Sequence, residues 1–392
     1  MRTPLTSSMT SSRARTASRG HRALSAAITA ALVISALTAC SSAATSTPTG
    51  SEPASGGLAA AEALVAEAVH LDDAQIPMPT EPVERQDIRV FMISPNAANP
   101  YSTFMMDSFT EAAAVMGWEL SPLYDAASTA TKGAAYIRQA IQEGYDAIYY
   151  PSIQFNALRA PIEEALNAGL VLAAPDGYSG HGLGDAFITP TQDSVELGRR
   201  LAAYAITLIE GEGTILTYPD PEYPHISERF DGFDAYIAEN CPGCIVKPTE
   251  FTAASLAQPG PPVWTSALST NPEGSVDLAV APFALASRIF AQTQASRGRD
   301  DIKIIDTGNI DGQQADLLAA GDLPYFGASV AVEQYEAWVS ADLIARVLAG
   351  QELYDVTALP TVLATPENAA DYVTGSAEPS IDYKKMFTEL WQ

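Results

Sequence analysis

Four polar residues stand where this chain could do chemistry: Asn99, Asp176, Arg229 and Asn309. They fall in segments that follow apolar runs and are broken by Pro or Gly. These are Ser94-Pro-Asn-Ala-Ala-Asn99-Pro100-Tyr101, Ala174-Pro-Asp176-Gly177-Tyr178 and Asp306-Thr-Gly-Asn309. In addition, Tyr218-Pro-Asp-Pro-Glu-Tyr leads into Ser227-Glu-Arg229-Phe-Asp-Gly232-Phe233. A carboxylate accepts hydrogen bonds, a guanidinium donates them in a planar fork, and an amide does both. Such a set suits recognition of a polar molecule. Bond breaking would need a nucleophile with its base, paired carboxylates or a metal cluster. The sequence has no Gly-x-Ser-x-Gly, no His-Glu-x-x-His and no phosphate loop, and its four histidines are scattered. Plainer readings stay open beside these. Asn-Pro after a strand makes a turn, Asp176 could cap a turn or helix, and Arg229 could pair at the surface with Glu228 or Asp231.

The elements that must position these residues alternate. Strand-like runs at Arg89–Ile93, Trp118–Tyr124, Asp146–Tyr150, Leu170–Ala174 and Ala186–Ile188 are separated by helical segments Thr103–Met116, Lys132–Glu143 and Ala157–Asn167. After a long helix, Ser194–Glu210, the pattern restarts. Its strands are Thr214–Tyr218, Ile245–Glu250, Leu278–Ala281, Ile302–Asp306 and Tyr325–Val330. Its helices lie near Ser227–Glu239, Pro282–Ser296, Asp311–Ala320 and Glu333–Leu348. Strands alternating with helices predict βαβ units around parallel sheets, an α/β fold. Right-handed crossovers make each half a doubly wound, Rossmann-like lobe. Ligands of such sheets bind beyond the carboxyl ends of the strands, and the four polar residues lie in those loops or in the helix they lead to.

Taken in order, these residues resemble the type 1 periplasmic-binding-protein family, in its ribose-binding-like sugar branch, from about Ile88 to Tyr354. Asn99-Pro100-Tyr101 matches the Asn-Pro-Phe/Tyr loop of that family, Asp176 the aspartate ending the fourth strand, and Arg229 the head of an Arg-x-x-Gly-Phe helix. Phe251 matches an aromatic past the second strand of the second lobe, and Asn309 lies near an aspartate or asparagine position. The resemblance implies a ligand-binding set of Asn99, Tyr101, Phe104, Asp176, Arg229, Phe251, Phe283 and Asn309, with no cofactor and no metal. Aromatic rings would stack on a sugar's C–H face while the polar groups meet its hydroxyls. Phe251 has a plainer reading as core. Two departures stand out: Asp176 is followed by Gly177 where the branch often has arginine, and Ala281-Pro282-Phe283 replaces Asn-Asp. An aromatic wall in place of a polar anchor hints at a deoxy sugar, a polyol or a modified small molecule. The implied function is capture of a sugar or sugar-like molecule by hinge closure and delivery to an ABC importer, by a monomer and without catalysis. A sensory receptor of the same fold is the alternative. In this family the chain crosses between lobes three times, here near Thr189, Val330 and Tyr354. The first lobe is then 87–189 plus 331–354, and the second 190–330 plus 355–392.

The N-terminal region implies a location. Arg13, Arg15, Arg19 and Arg22 precede an apolar run from Leu24 that is too short for a permanent span, which needs roughly 20 residues. This reads as an export signal over 1–39. Its exit, Leu37-Thr38-Ala39-Cys40, resembles the bacterial lipoprotein lipobox, which implies lipidation of Cys40 and an extracytoplasmic protein anchored to the cell membrane. Residues 40–57 are a Ser/Thr/Gly/Pro-rich tether reaching on the order of 23 Å, and 58–86 a helical stalk or strap with a Pro-rich linker. The formal net charge is −26, and the arginines ahead of Cys40 would leave with the signal. So acidic a chain repels nucleic acid and anionic membrane surfaces, which leaves the lipid as its one membrane contact. Cys241-Pro-Gly-Cys244 has no second CxxC or His cluster to complete a zinc site. It follows a helix and precedes a strand, and in an oxidising compartment it reads as a structural disulfide.

Overall fold

The computed structural model describes residues 54–258 and 260–392. The export signal, Cys40 and the tether as far as residue 53 lie outside the described residues.

The first element, α1 (Ala54–Ala68), buries Ala61, Leu64 and Ala68 on one helical face. The first lobe then runs β1 (Arg89–Ser94), α2 (Pro100–Met116), β2 (Glu119–Leu120), β3 (Tyr124–Asp125), α3 (Ala130–Glu143), β4 (Ala147–Tyr149), α4 (Phe155–Asn167), β5 (Val171–Ala173) and β6 (Phe187–Ile188). Its parallel sheet has the order β2-β1-β4-β5-β6, and β3 also pairs with β1. Helices cover both faces, so the strands read as unbroken apolar runs such as Val90-Phe-Met-Ile93, all buried.

The second lobe runs α5 (Ser194–Leu208), β7 (Glu212–Thr217), α6 (Pro224–Asn240), β8 (Gly243–Pro248), α7 (Pro262–Thr270), β9 (Leu278–Ala281), α8 (Ala284–Ser296), β10 (Lys303–Asn309), α9 (Gly312–Ala320) and β11 (Tyr325–Ala331). The chain then returns to the first lobe as α10 (Glu333–Ala349), which packs on α2 and β5. It comes back once more as β12 (Thr361–Ala364), antiparallel to β11. The second sheet has the order β12-β11-β10-β9-β7-β8 and is otherwise parallel. Two crossing segments lie side by side: Thr191 N donates to Val356 O at 2.9 Å, and Leu359 N donates to Thr191 O at 3.0 Å. Cys241 and Cys244 form a disulfide in the turn between α6 and the first residues of β8.

The C-terminal segment 355–392, expected whole in the second lobe, divides. Its last helix, α11 (Tyr383–Leu390), packs on α10 of the first lobe, and Trp391 stacks on Trp338 with ring centres 5.4 Å apart. The physical reason is aromatic. Phe387 and Trp391, four residues apart, form one apolar stripe that finds its partners on α10. Residues 58–86 also serve both lobes. Helix α1 lies against α5 and α6, whereas Val83 N donates to Leu390 O at 3.0 Å and Gln392 N donates to Val83 O at 3.1 Å. This is a strap laid across the molecule.

Candidate functional site

The cleft between the lobes holds a cavity of about 540 Å³. Its first-lobe wall is built from the loops that follow β1, β3, β4 and β5. Asn99 caps α2, its Oδ1 accepting from Tyr101 N at 3.3 Å, with Pro100 at the first helical position. The cap therefore fixes Asn99 and Tyr101 at the cleft. Ala127, Ser128, Ser152 and Asp176 all line it with positive φ, between 42° and 54°. Non-glycine residues rarely hold such angles, and backbone strain of this kind clusters where geometry serves binding.

On the second-lobe side, Arg229 projects from the first turns of α6. Helices α5 and α6 meet at glycines. A Cβ on Gly232 would stand 2.1 Å from Val195 O, and one on Gly198 would stand 1.8 Å from Arg229 O. Only glycine allows that approach, and it seats Arg229 against the lobe junction with 1% of its surface exposed.

There the guanidinium ties three segments together. Nη2 donates to Asp176 Oδ1 at 2.6 Å and to Gln192 Oε1 at 3.0 Å, and Nη1 donates to Thr307 O at 3.0 Å. Asp176 belongs to the first lobe and Arg229 to the second, so this buried ion pair latches the two. Two further bonds cross at the mouth: Gln154 Nε2 to Glu222 Oε2 at 2.6 Å, and Asn156 Nδ2 to Pro221 O at 3.0 Å. The conformation is closed. Asp176 is steadied within its own lobe by Ser152, whose hydroxyl donates to Oδ2 at 2.8 Å and lies 3.0 Å from the Tyr101 hydroxyl.

Behind the latch, Gln192 donates to Glu336. Burial first, and the nearby Asp176 next, hold the Glu336 carboxyl well above the usual range. Burial, then Glu336, does the same to Glu333. Burial also holds the His225 imidazole at the cleft down to about 4, so its ring is neutral at pH 7. Asn309, 6% exposed at the end of β10, lines the cleft, and neither its amide nitrogen nor its oxygen has a protein partner. Such a buried pair of polar atoms is costly unless something meets them. Among the described residues, no group of three or more His, Cys, Asp or Glu side chains is placed to hold a metal ion.

Of the expected set, Asn99, Tyr101, Asp176, Arg229, Phe283 and Asn309 line one cavity. Phe104 and Phe251 do not. Phe104, three residues along α2 from Tyr101, instead lines a neighbouring groove with Asp107 and Gly312. Phe251 is core, 1% exposed. It stacks on Trp264 with centres 5.4 Å apart and meets Phe283 edge-on, so it stands one layer behind the wall. Arg229 is neither exposed nor paired with Glu228 or Asp231. Sequence reasoning missed Ser152, Gln192 and His225. Ser152 was within reach, since it follows β4 in Tyr150-Pro-Ser152 by the same strand-end rule. Gln192 carries no local signal, because tertiary packing alone brings it to Arg229; His225 lies one turn before Arg229 on α6, a helical spacing that could have found it.

The periplasmic binding protein domain family matches residues 90–352, two-thirds of the chain. The chain belongs to that family. It is therefore a solute-binding protein rather than an enzyme, of a family that works outside the cytoplasm. Among solved structures it is similar to an ABC transporter solute binding protein from Agrobacterium vitis with bound allitol: TM-score 0.64, 19% identity, 73% of this chain and 98% of that one covered. A second from the same organism, bound with alpha-D-tagatopyranose, gives TM-score 0.64, 18% identity, and 74% and 100% coverage. A third, from Bacillus halodurans C-125 with bound myo-inositol, gives 0.61, 18%, and 74% and 98%. At these identities the likeness establishes the type 1 periplasmic-binding fold. No curated protein matches the chain.

Proposed function

We propose that this periplasmic binding protein captures a small hydroxyl-bearing solute between its lobes and hands it, in the closed form, to an ABC importer. The observation that carries the reading is the unpartnered, buried amide of Asn309, in the same cavity as Asp176, Ser152 and Arg229. Together these offer a donor–acceptor pair from one lobe and acceptors and donors at the latch, the complement of adjacent hydroxyls. The latch residues couple occupancy to closure, because contacts made only in the closed form shift the hinge equilibrium toward it. Similar solved structures are ABC transporter proteins holding allitol, a tagatopyranose and myo-inositol, which supports a sugar or polyol as the class and an importer as the recipient. Anchoring through Cys40 follows from the lipobox alone. It is checked by detergent-phase partition of the wild type against Cys40→Ser.

A thermal-shift screen against pentoses, hexoses and polyols tests the capture reading. A solute at 100 times its Kd adds about 2.7 kcal/mol of stability. A rise in Tm with any member, lost in Asn309→Ala, is the expected result. A rise that Asn309→Ala leaves untouched overturns the reading, as does silence across this panel and the glycoside panel below taken together.

A further inference from the structure

We infer that the solute is amphipathic: a hydroxyl-bearing ring carrying an apolar substituent, such as an aryl or alkyl glycoside, rather than a free sugar. The inference rests on the capture reading above and refines its ligand. The first-lobe wall of the cavity is polar at every loop end, through Asp176 and Ser152 among others. The second-lobe wall presents Leu256, Phe283, Leu285 and Ile289 to the same space.

Their positions make this apolar face a built surface. Leu285 and Ile289 are one turn apart on α8 and so share a side, and Leu256 stands in the short helical turn Ala253–Ala257. All four are only partly covered by protein, and their uncovered area faces the cleft. Phe283 is pressed against the end of β10. A Cβ on Gly308 would come within 2.5 Å of the Phe283 Cα, so glycine is required for that approach. The Phe283 backbone is thus held against β10, and its ring is backed edge-on by Phe251. A cavity of about 540 Å³ lies within the range that holds drug-sized molecules.

Chemistry then decides between occupants. A free sugar or polyol can lay C–H groups on the Phe283 ring, but it keeps hydroxyls around its rim. Those turned toward Leu256, Leu285 and Ile289 would lose water and gain no partner, at roughly tenfold or more in affinity for each. An apolar substituent reverses the sign. Each methylene it buries there gains about fourfold, the equivalent of ~0.8 kcal/mol. Charge gives no handle on that side, since these four residues carry none.

The test is isothermal titration of the full chain with the free sugar, the methyl glycoside and the phenyl glycoside of D-glucose, D-galactose, D-xylose and L-arabinose. The expected result is a phenyl glycoside binding at least tenfold tighter than its methyl counterpart. That ratio should fall toward one in Leu285→Asn, and in the milder Leu285→Ala should the first variant fold poorly. Equal or tighter binding of a free sugar overturns the inference and leaves solute capture standing. A phenyl advantage that survives in both variants also overturns it, by placing the substituent elsewhere. Failure of the panel and of the earlier sugar and polyol screen together overturns both.

Discussion

The two walls of the cleft are built by opposite means. The first-lobe wall consists of loop ends in strained left-handed backbone: Ser128 from the β3 loop, Ser152 from the β4 loop, Asp176 from the β5 loop. The second-lobe wall carries an apolar face: Leu285 and Ile289 on α8 with Phe283 at its head, and Leu256 from the short turn Ala253–Ala257. Strained loops aim polar atoms at fixed points, which is what hydroxyl recognition requires. A helix face supplies area without direction, which is what apolar contact requires. The polar groups on the second lobe include Arg229 and His225, in the first turns of α6, and Asn309, at the end of β10. Polar precision is therefore concentrated at the seam, and tolerance lies away from it.

Breaking the seam should have the largest effect. Asp176→Ala removes an acceptor and leaves Arg229 buried without its partner, so we expect more than a hundredfold loss of affinity. Stability should fall by about 3–5 kcal/mol, read by urea unfolding, the cost of stranding a buried charge. Unchanged affinity would remove Asp176 from the site. Asn309→Ala sharpens the contrast. Its amide has no partner within the protein, so affinity should drop tenfold to a hundredfold, about 1–3 kcal/mol, with no fall in Tm. A fall in Tm without a change in affinity would make Asn309 a structural residue. Phe251→Leu should do the reverse of Asn309→Ala. It loses up to about 1.5 kcal/mol of stability through its stack on Trp264 and keeps solute affinity, because Phe283 stands between it and the cleft.

The smallest effect is a slope in pH. Burial pushes the Asp306 and Asp220 carboxyls up to about 7 from an ordinary 3.8, and raises Glu333 and Glu336 as well. From about pH 4 to pH 7 the folded chain keeps protons that the unfolded chain has released, so stability falls as pH rises through this window. His225, held down to about 4 from 6.5, opposes this: the unfolded chain takes up a proton that the fold refuses. Raised carboxyls, Glu228, Asp234 and Glu378 among them, outnumber the two lowered imidazoles, His225 and His181, so Tm should decline from pH 4 to pH 7. Asp306→Asn should flatten the decline, and a Tm that rises with pH in both forms would contradict the assignment.

Much of this was readable in the sequence because strand–helix alternation is a local signal. The carboxyl ends of β1, β5 and β10 could be located before any side chain was placed, and Asn99, Asp176 and Asn309 came with them. Arg229 was found through its place before Gly232, but its partner was not. The Asp176–Arg229 latch joins residues 53 positions apart and exists only once the lobes meet. Phe251 and Phe283 look alike in sequence, and only the layering of Trp264 behind one of them separates core from wall. The C-terminal helix was misplaced because nothing local distinguishes a helix that stays with its lobe from one whose aromatic stripe recrosses.

The strap sets the travel of the whole device. Helix α1 is fixed to the second lobe. Nine residues beyond its end, Pro77 accepts from the Tyr335 hydroxyl of α10, and Glu81 O accepts from Arg346 Nη2 at 2.7 Å. The nine residues from Val69 to Pro77 reach at most about 30 Å when fully drawn out. Like a chain on a door, this segment lets the cleft swing open until it is taut and no further, so the widest solute the protein can admit is bounded from outside the hinge.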